Sequence, residues 1–97
     1  MAKNTDEVLL RLVGDKIREL RKSKKLSLRD LAYRIGMESS NLSVIENGRS
    51  NPQLLTYAKI AAALDVSLSD IFEVTFDFGQ LNTSESVYNP RKHNPKN

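Results

Sequence analysis

Apolar residues recur along the front of the chain at Leu9, Val13, Ile17 and Leu20, with Leu12 beside them. Steps of three and four residues mark one helix face, so the pattern predicts an amphipathic helix over residues 6–22. Thr5 stands where a cap belongs, and Asp6 and Glu7 suit the positive end of the helix dipole. Gly14 leaves two readings. Either it sits inside one helix at a cost of about 1 kcal/mol against alanine, or it splits the segment so that the main helix starts at Asp15. A second helix follows from Leu28, Leu31, Ala32 and Ile35, opened by the capping box Ser27-Leu28-Arg29-Asp30 and stopped by Gly36 in a left-handed cap. A third, over residues 39–46, carries Leu42 and Ile45 on one side and ends at Asn47-Gly48. Asn51-Pro52 breaks the chain, because proline pushes its predecessor out of helical geometry. A fourth helix, over residues 53–64, has Leu54, Leu55, Ala58, Ala61, Ala62 and Leu64 as its apolar positions. Ser67-Leu68-Ser69-Asp70 is a second capping box and starts a short fifth helix that ends near Glu73.

The period then changes. Val74, Phe76 and Phe78 alternate with Thr75, Asp77 and Gly79, a strand pattern over residues 74–78. From Asn82 onward the residues are polar, with the composition of a tail. The expected organisation is an N-terminal arm over 1–5, a helical domain over 6–73 and a C-terminal extension over 74–97.

Length and composition narrow the chemistry. With 97 residues the chain is one small domain, and with no cysteine it has no disulfide, thiolate metal site or thiol nucleophile. No apolar run approaches the roughly 20 residues of a membrane span, and the acids of MAKNTDEVLL stand where a signal peptide would be basic. A cytoplasmic protein is expected. The single histidine, His93, lies in the polar tail beside Arg91 and Lys92, and no serine has a His/Asp partner set. No Gly-rich phosphate loop follows a strand. The chain is expected not to be an enzyme and to need no cofactor, metal or small-molecule ligand.

The net charge of +3 matters less than its placement. Between Lys16 and Arg34, the bases Lys16, Arg18, Arg21, Lys22, Lys24, Lys25, Arg29 and Arg34 stand against Glu19 and Asp30 alone. This is either a solvated helix face or a patch for phosphate. The third segment is unusual in a different way. Its outer side holds Ser39, Ser40, Ser43 and Val44, where a surface helix normally carries Lys, Glu and Gln. Short side chains that hydrogen-bond well weaken a helix, so something other than helix stability accounts for them. The second and third segments, joined by a turn at Gly36, form a helix-turn-helix pattern, in which the second helix can lie in the DNA major groove.

The run LSLRDLAYRIGMESSNLSVIENGRSNPQLLTYAKIAAALDVSLSDIF resembles the Cro/C1-type, or XRE, family of bacterial and phage DNA-binding domains. The matching features are Leu31-Ala32, Gly36, Leu42-Ser43-x-Ile45-Glu46-x-Gly48, Asn51-Pro52, Ile60-Ala61 and Leu64-x-Val66, preceded by Ile17-Arg18-Glu19-Leu20-Arg21. The resemblance implies an all-α fold of five helices around one core, with double-stranded DNA as partner and a homodimer on two half-sites. It implies a recognition helix over 39–46 with Ser39, Ser40, Ser43 and Val44 at base edges, Val44 suiting a thymine methyl. It puts Arg29, Asn41, Asn47 and Arg49 at phosphates or the groove edge, with Arg29 and Arg49 also able to reach a base. It makes Arg21 and Glu46 an ion pair between the first and third helices. Two positions depart from the family. Leu28 stands where glutamine is usual and is either core or a rest against sugar. Glu38 stands where a Ser or Thr cap is usual, and glutamate caps poorly.

The rival reading is a protein-interaction or antitoxin-type module, since this fold also serves proteins that never touch DNA. Tyr33 and Tyr57 are its candidate aromatics, and each also reads as packing or surface. For assembly, the strand pattern at 74–78 either pairs with a second copy or folds back on the fifth helix.

Overall fold

The computed structural model describes residues 5–76. Five helices follow in order: α1 (Thr5–Ser23), α2 (Leu28–Arg34), α3 (Ser39–Glu46), α4 (Leu54–Leu64) and α5 (Leu68–Ile71). Thr5 is the first residue of α1, and residues 1–4 lie outside the described range. No strand forms among the described residues. Of the expected strand, Val74 packs against the helical core, Thr75 is exposed and Phe76 is half-buried; residues 77 and 78 lie outside the described range.

Local sequence sets the boundaries. At the start of α2, Ser27 Oγ accepts from the Asp30 N–H at 2.9 Å, while Asp30 Oδ2 accepts from the Ser27 N–H at 3.2 Å. Ser67 and Asp70 repeat this box at α5, at 3.1 and 3.0 Å. Each satisfies two donors that a helix start leaves unpaired. The C-terminal ends share another device. Gly36 stands at φ +67°, and the Met37 N–H reaches back to Ala32 O at 2.9 Å while the Gly36 N–H reaches Tyr33 O at 3.2 Å. That is a Schellman turn, and Gly48 closes α3 the same way at φ +71°. Lys25 and Asp65 do the same after α1 and α4, both at φ +60° without being glycine.

The core is one cluster. Val13 and Ile17 of α1, Leu31 and Ala32 of α2, Leu42 and Ile45 of α3, Tyr57, Ile60, Ala61 and Leu64 of α4, and Ile71 of α5 are all buried. Tyr57 meets Phe72 edge to face, with ring centroids 5.2 Å apart. Burial pushes the Tyr57 phenol above its ordinary value. Leu28 is half-buried against this cluster, which gives the departure from glutamine a packing role. The inward face of α4 is Tyr57–Ile60–Ala61–Leu64, so the leading leucines of its apolar pattern fall elsewhere: Leu54 is 62% exposed and Leu55 69%. Tyr33 is 86% exposed, a surface residue.

α1 runs unbroken through Gly14, which resolves the two readings of that residue. A Cβ at Gly14 would stand 2.5 Å from the Glu46 carbonyl oxygen and 2.6 Å from that of Ile45. The missing side chain lets α1 cross the end of α3 in backbone contact. Gly48 is tight from the other side, since a Cβ there would lie 2.5 Å from Arg11 Cα. The two glycines together set how α1 carries α3.

Candidate nucleic-acid interface

α3 is a short helix with sharply divided sides. Leu42, Ile45 and Glu46 are buried; Ser40, Asn41 and Val44 are exposed; Ser39, Ser43 and Asn47 are half-buried. Ser40, Ser43, Val44 and Asn47 lie at steps of three and four, so they share one outward face. Arg29 is exposed in the first turn of α2, and Arg49 is exposed just past the Gly48 turn. The short polar candidates therefore stand together on one rigid helix, with an exposed arginine on each flanking segment.

The N-terminus of α3 has no side-chain cap. Glu38 occupies the cap position in extended geometry (φ −73°, ψ 143°) and makes no hydrogen bond there. Its carboxylate is one carbon too long for the tight reach that serine or aspartate makes. At the other end a charged network holds the helix. Arg21 grips Glu46 bidentately, Nε to Oε2 at 2.7 Å and Nη2 to Oε1 at 3.1 Å, and its Nη1 donates to Leu26 O at 2.8 Å. The Glu46 side chain is 2% exposed, so it needs this partner: removing one member of a buried pair typically costs about 3–5 kcal/mol.

Arg18 extends the network. Its Nε lies 3.4 Å from Glu46 Oε1, and its Nη2 donates to Asn47 Oδ1 at 2.6 Å. Asn47 Nδ2 in turn donates to Ser43 Oγ at 3.4 Å. Asn47 is thus a hinge between α1 and the outward face of α3, with one amide hydrogen left over for a ligand. The signal for Arg18 was its position: three residues before Arg21, it flanks the Ile17–Leu20 stripe on the same side.

Asp30 and Asp70 titrate below the ordinary carboxylate value, chiefly because the backbone N–H groups of Ser27 and Ser67 stabilise the charged forms and the serine hydroxyls add to this. Both are capping carboxylates. Among the described residues no group of His, Cys, Asp and Glu could hold a metal ion, and no helix is long and apolar enough to cross a membrane.

Comparison with known proteins points the same way. Residues 17–71 match the family model HTH_3, helix-turn-helix. The chain is 39% identical over 77 residues to the HTH-type transcriptional regulator SinR of Bacillus subtilis, spanning 74% of this chain and 68% of SinR. Among solved structures it resembles the restriction-modification controller protein C.AhdI of Aeromonas hydrophila, at 36% identity and a TM-score of 0.63, covering 65% of this chain and 96% of that one. It also resembles the controller protein C.Esp1396I, solved as a tetramer with its natural 35 base-pair operator, at 31% identity and a TM-score of 0.62, covering 67% and 86% of the two chains.

Proposed function

The chain belongs to the HTH_3 helix-turn-helix family, and from that premise we propose that it is a sequence-specific double-stranded DNA-binding transcriptional regulator of the Cro/C1 type. It works in the cytoplasm, without catalysis of its own. α3 enters the major groove and sets Ser39, Ser40, Ser43 and Val44 against base edges. Arg29, Asn41, Asn47 and Arg49 take phosphates or the groove edge.

The outward face of α3 carries this reading. Its side chains are short, mostly polar, and exposed or half-buried, while the same helix is locked to α1 from behind by Glu46, Ile45 and Gly48. A short side chain lets the helix backbone lie deep in a groove. A serine makes no bidentate pair, so each base contact discriminates by less than the roughly 1–3 kcal/mol of an arginine–guanine pair. Water bridges and DNA shape then share in the specificity.

One such helix makes few contacts, which supports a homodimer on two half-sites about one helical turn apart. Leu54 and Leu55, side by side at the first turn of α4 and mostly exposed, support that turn as the face a second copy covers.

Fluorescence anisotropy tests the reading. Duplex from upstream of the protein's own gene is titrated beside a scrambled duplex at about 150 mM salt, and a random-pool selection finds the operator if it lies elsewhere. Specific binding at least about a thousandfold tighter than the scrambled control is expected. A pool that never enriches would leave α3 as a surface for a protein partner instead.

A further inference from the structure

A groove lies between the first turns of α1 and the turn that follows α3. Glu7, Leu10 and Arg11 form one wall, and residues 47–51 the other, around an open volume of about 560 Å³. The α1 wall precedes residue 17, where the family match begins. We propose that this groove seats a phosphodiester of the DNA backbone, with Arg11 and Arg49 as its cations. The proposal rests on the DNA-binding reading above.

Charge accounting is the first argument. α3 has no basic residue, and the nearest cations behind it, Arg18 and Arg21, are engaged by Glu46. Affinity for duplex DNA comes largely from neutralised phosphates, so cations beside α3 must supply it. Arg49 stands at that edge from the turn, and Arg11 faces it across the groove.

The second argument concerns what the backbone cannot do. α3 ends here, and a helix C-terminus is negative. The N–H groups of Gly48 and Arg49 already donate to Ile45 O and Val44 O, each at 3.0 Å. Those two donors at the helix end are spent, so the positive charge an anion needs here comes from side chains. Arg11 is available: its Nε lies 3.9 Å from Asp15 Oδ1, a loose contact between side chains 56% and 51% exposed. Glu7 is the one acid in the lining, against two arginines.

Rigidity is the third argument. Gly48 rests on the backbone of Leu10 and Arg11 so closely that a Cβ would stand 2.7 Å from Arg11 N. The position of Arg11 relative to α3 is therefore fixed by main-chain contact, which a guanidinium needs if it is to meet the same phosphate in every complex.

The test uses the full chain and a duplex enriched by random-pool selection, with affinity measured by anisotropy across a salt series. Arg11→Gln and Arg11→Met, both good helix formers, are expected to melt as the wild type does and to bind every duplex more weakly. Their plots of log affinity against log salt should be shallower by about 0.9 for each protomer bound, so by about 1.8 for a dimer on two half-sites, and Arg11→Lys should restore the slope. Base preference should not change. A wild-type slope in both variants, or a loss confined to one base position, would overturn the proposal while leaving DNA binding intact. A wild type that enriches no duplex would remove the DNA-binding reading and this site with it.

Discussion

Gly14 shows how much a single residue's meaning depends on what lies across from it. In the sequence it is a helix weakener. In the fold it is the point where α1 touches the Ile45 and Glu46 carbonyls, with 2.5 Å of room for a Cβ that needs about a full ångström more. Gly14→Ala removes helix-propensity cost and adds a backbone clash, and the clash is expected to win. A net loss of about 1–3 kcal/mol is expected, read as a lower urea midpoint at unchanged slope. A stabilised variant would mean that α1 and α3 slide apart freely. The same distance from local signal explains Arg18, which takes its role from Glu46 and Asn47, residues 28 and 29 positions away. Arg21 and Glu46 were legible because family resemblance supplied the long-range pairing that periodicity lacks. The outward serines were legible from the sequence itself, since their chemistry conflicts with a plain surface helix.

At the scale of elements, all five helices were readable, because their starts and stops are written in local chemistry. Capping boxes at Ser27 and Ser67 and stop signals at Gly36 and Gly48 each act within five residues. The turns at Lys25 and Asp65 were not readable as left-handed, since lysine rarely adopts that geometry and aspartate only occasionally. α3, like α4, starts without a side-chain cap. Glu38→Ser supplies the missing cap and is expected to add about 1 kcal/mol, which for a domain of this size raises the melting temperature by about 4–8 °C. No change on melting would mean that the Glu38 charge already serves the helix dipole as well as a cap would. The capping boxes also make stability depend on acid. Asp30 and Asp70 titrate lower in the folded chain than their ordinary value of 3.8. Their contribution is therefore fully present above that value and is lost as pH falls through the depressed folded values. Melting temperature should drop as pH falls below about 4, and an Asp30→Asn, Asp70→Asn double variant should start lower at pH 7 and lose less on acidification. A double variant with the wild-type acid profile would assign the acid limit to other carboxylates.

For the whole molecule, assembly is the open physical question, and the two leucines of α4 frame it. An exposed Leu54–Leu55 pair does nothing for the core, so Leu55→Lys should leave the folding stability of the domain within about 0.5 kcal/mol of wild type. In sedimentation at tens of micromolar, the wild type is expected to be dimeric and the variant monomeric. Deleting residues 74–97 should leave the dimer intact; a truncated chain that turns monomeric would place the contact in the C-terminal extension instead. The division of labour inside α3 has a different consequence. Leu42, Ile45, Glu46 and the Gly48 turn hold the helix, while Ser40 and Val44 are exposed on its other side. Inheritance can therefore rewrite the reading side without disturbing the holding side. On the proposed reading, a lineage carrying this domain drifts from one operator to another by exchanging outward residues such as Ser40 and Val44, at little risk to folding along the way.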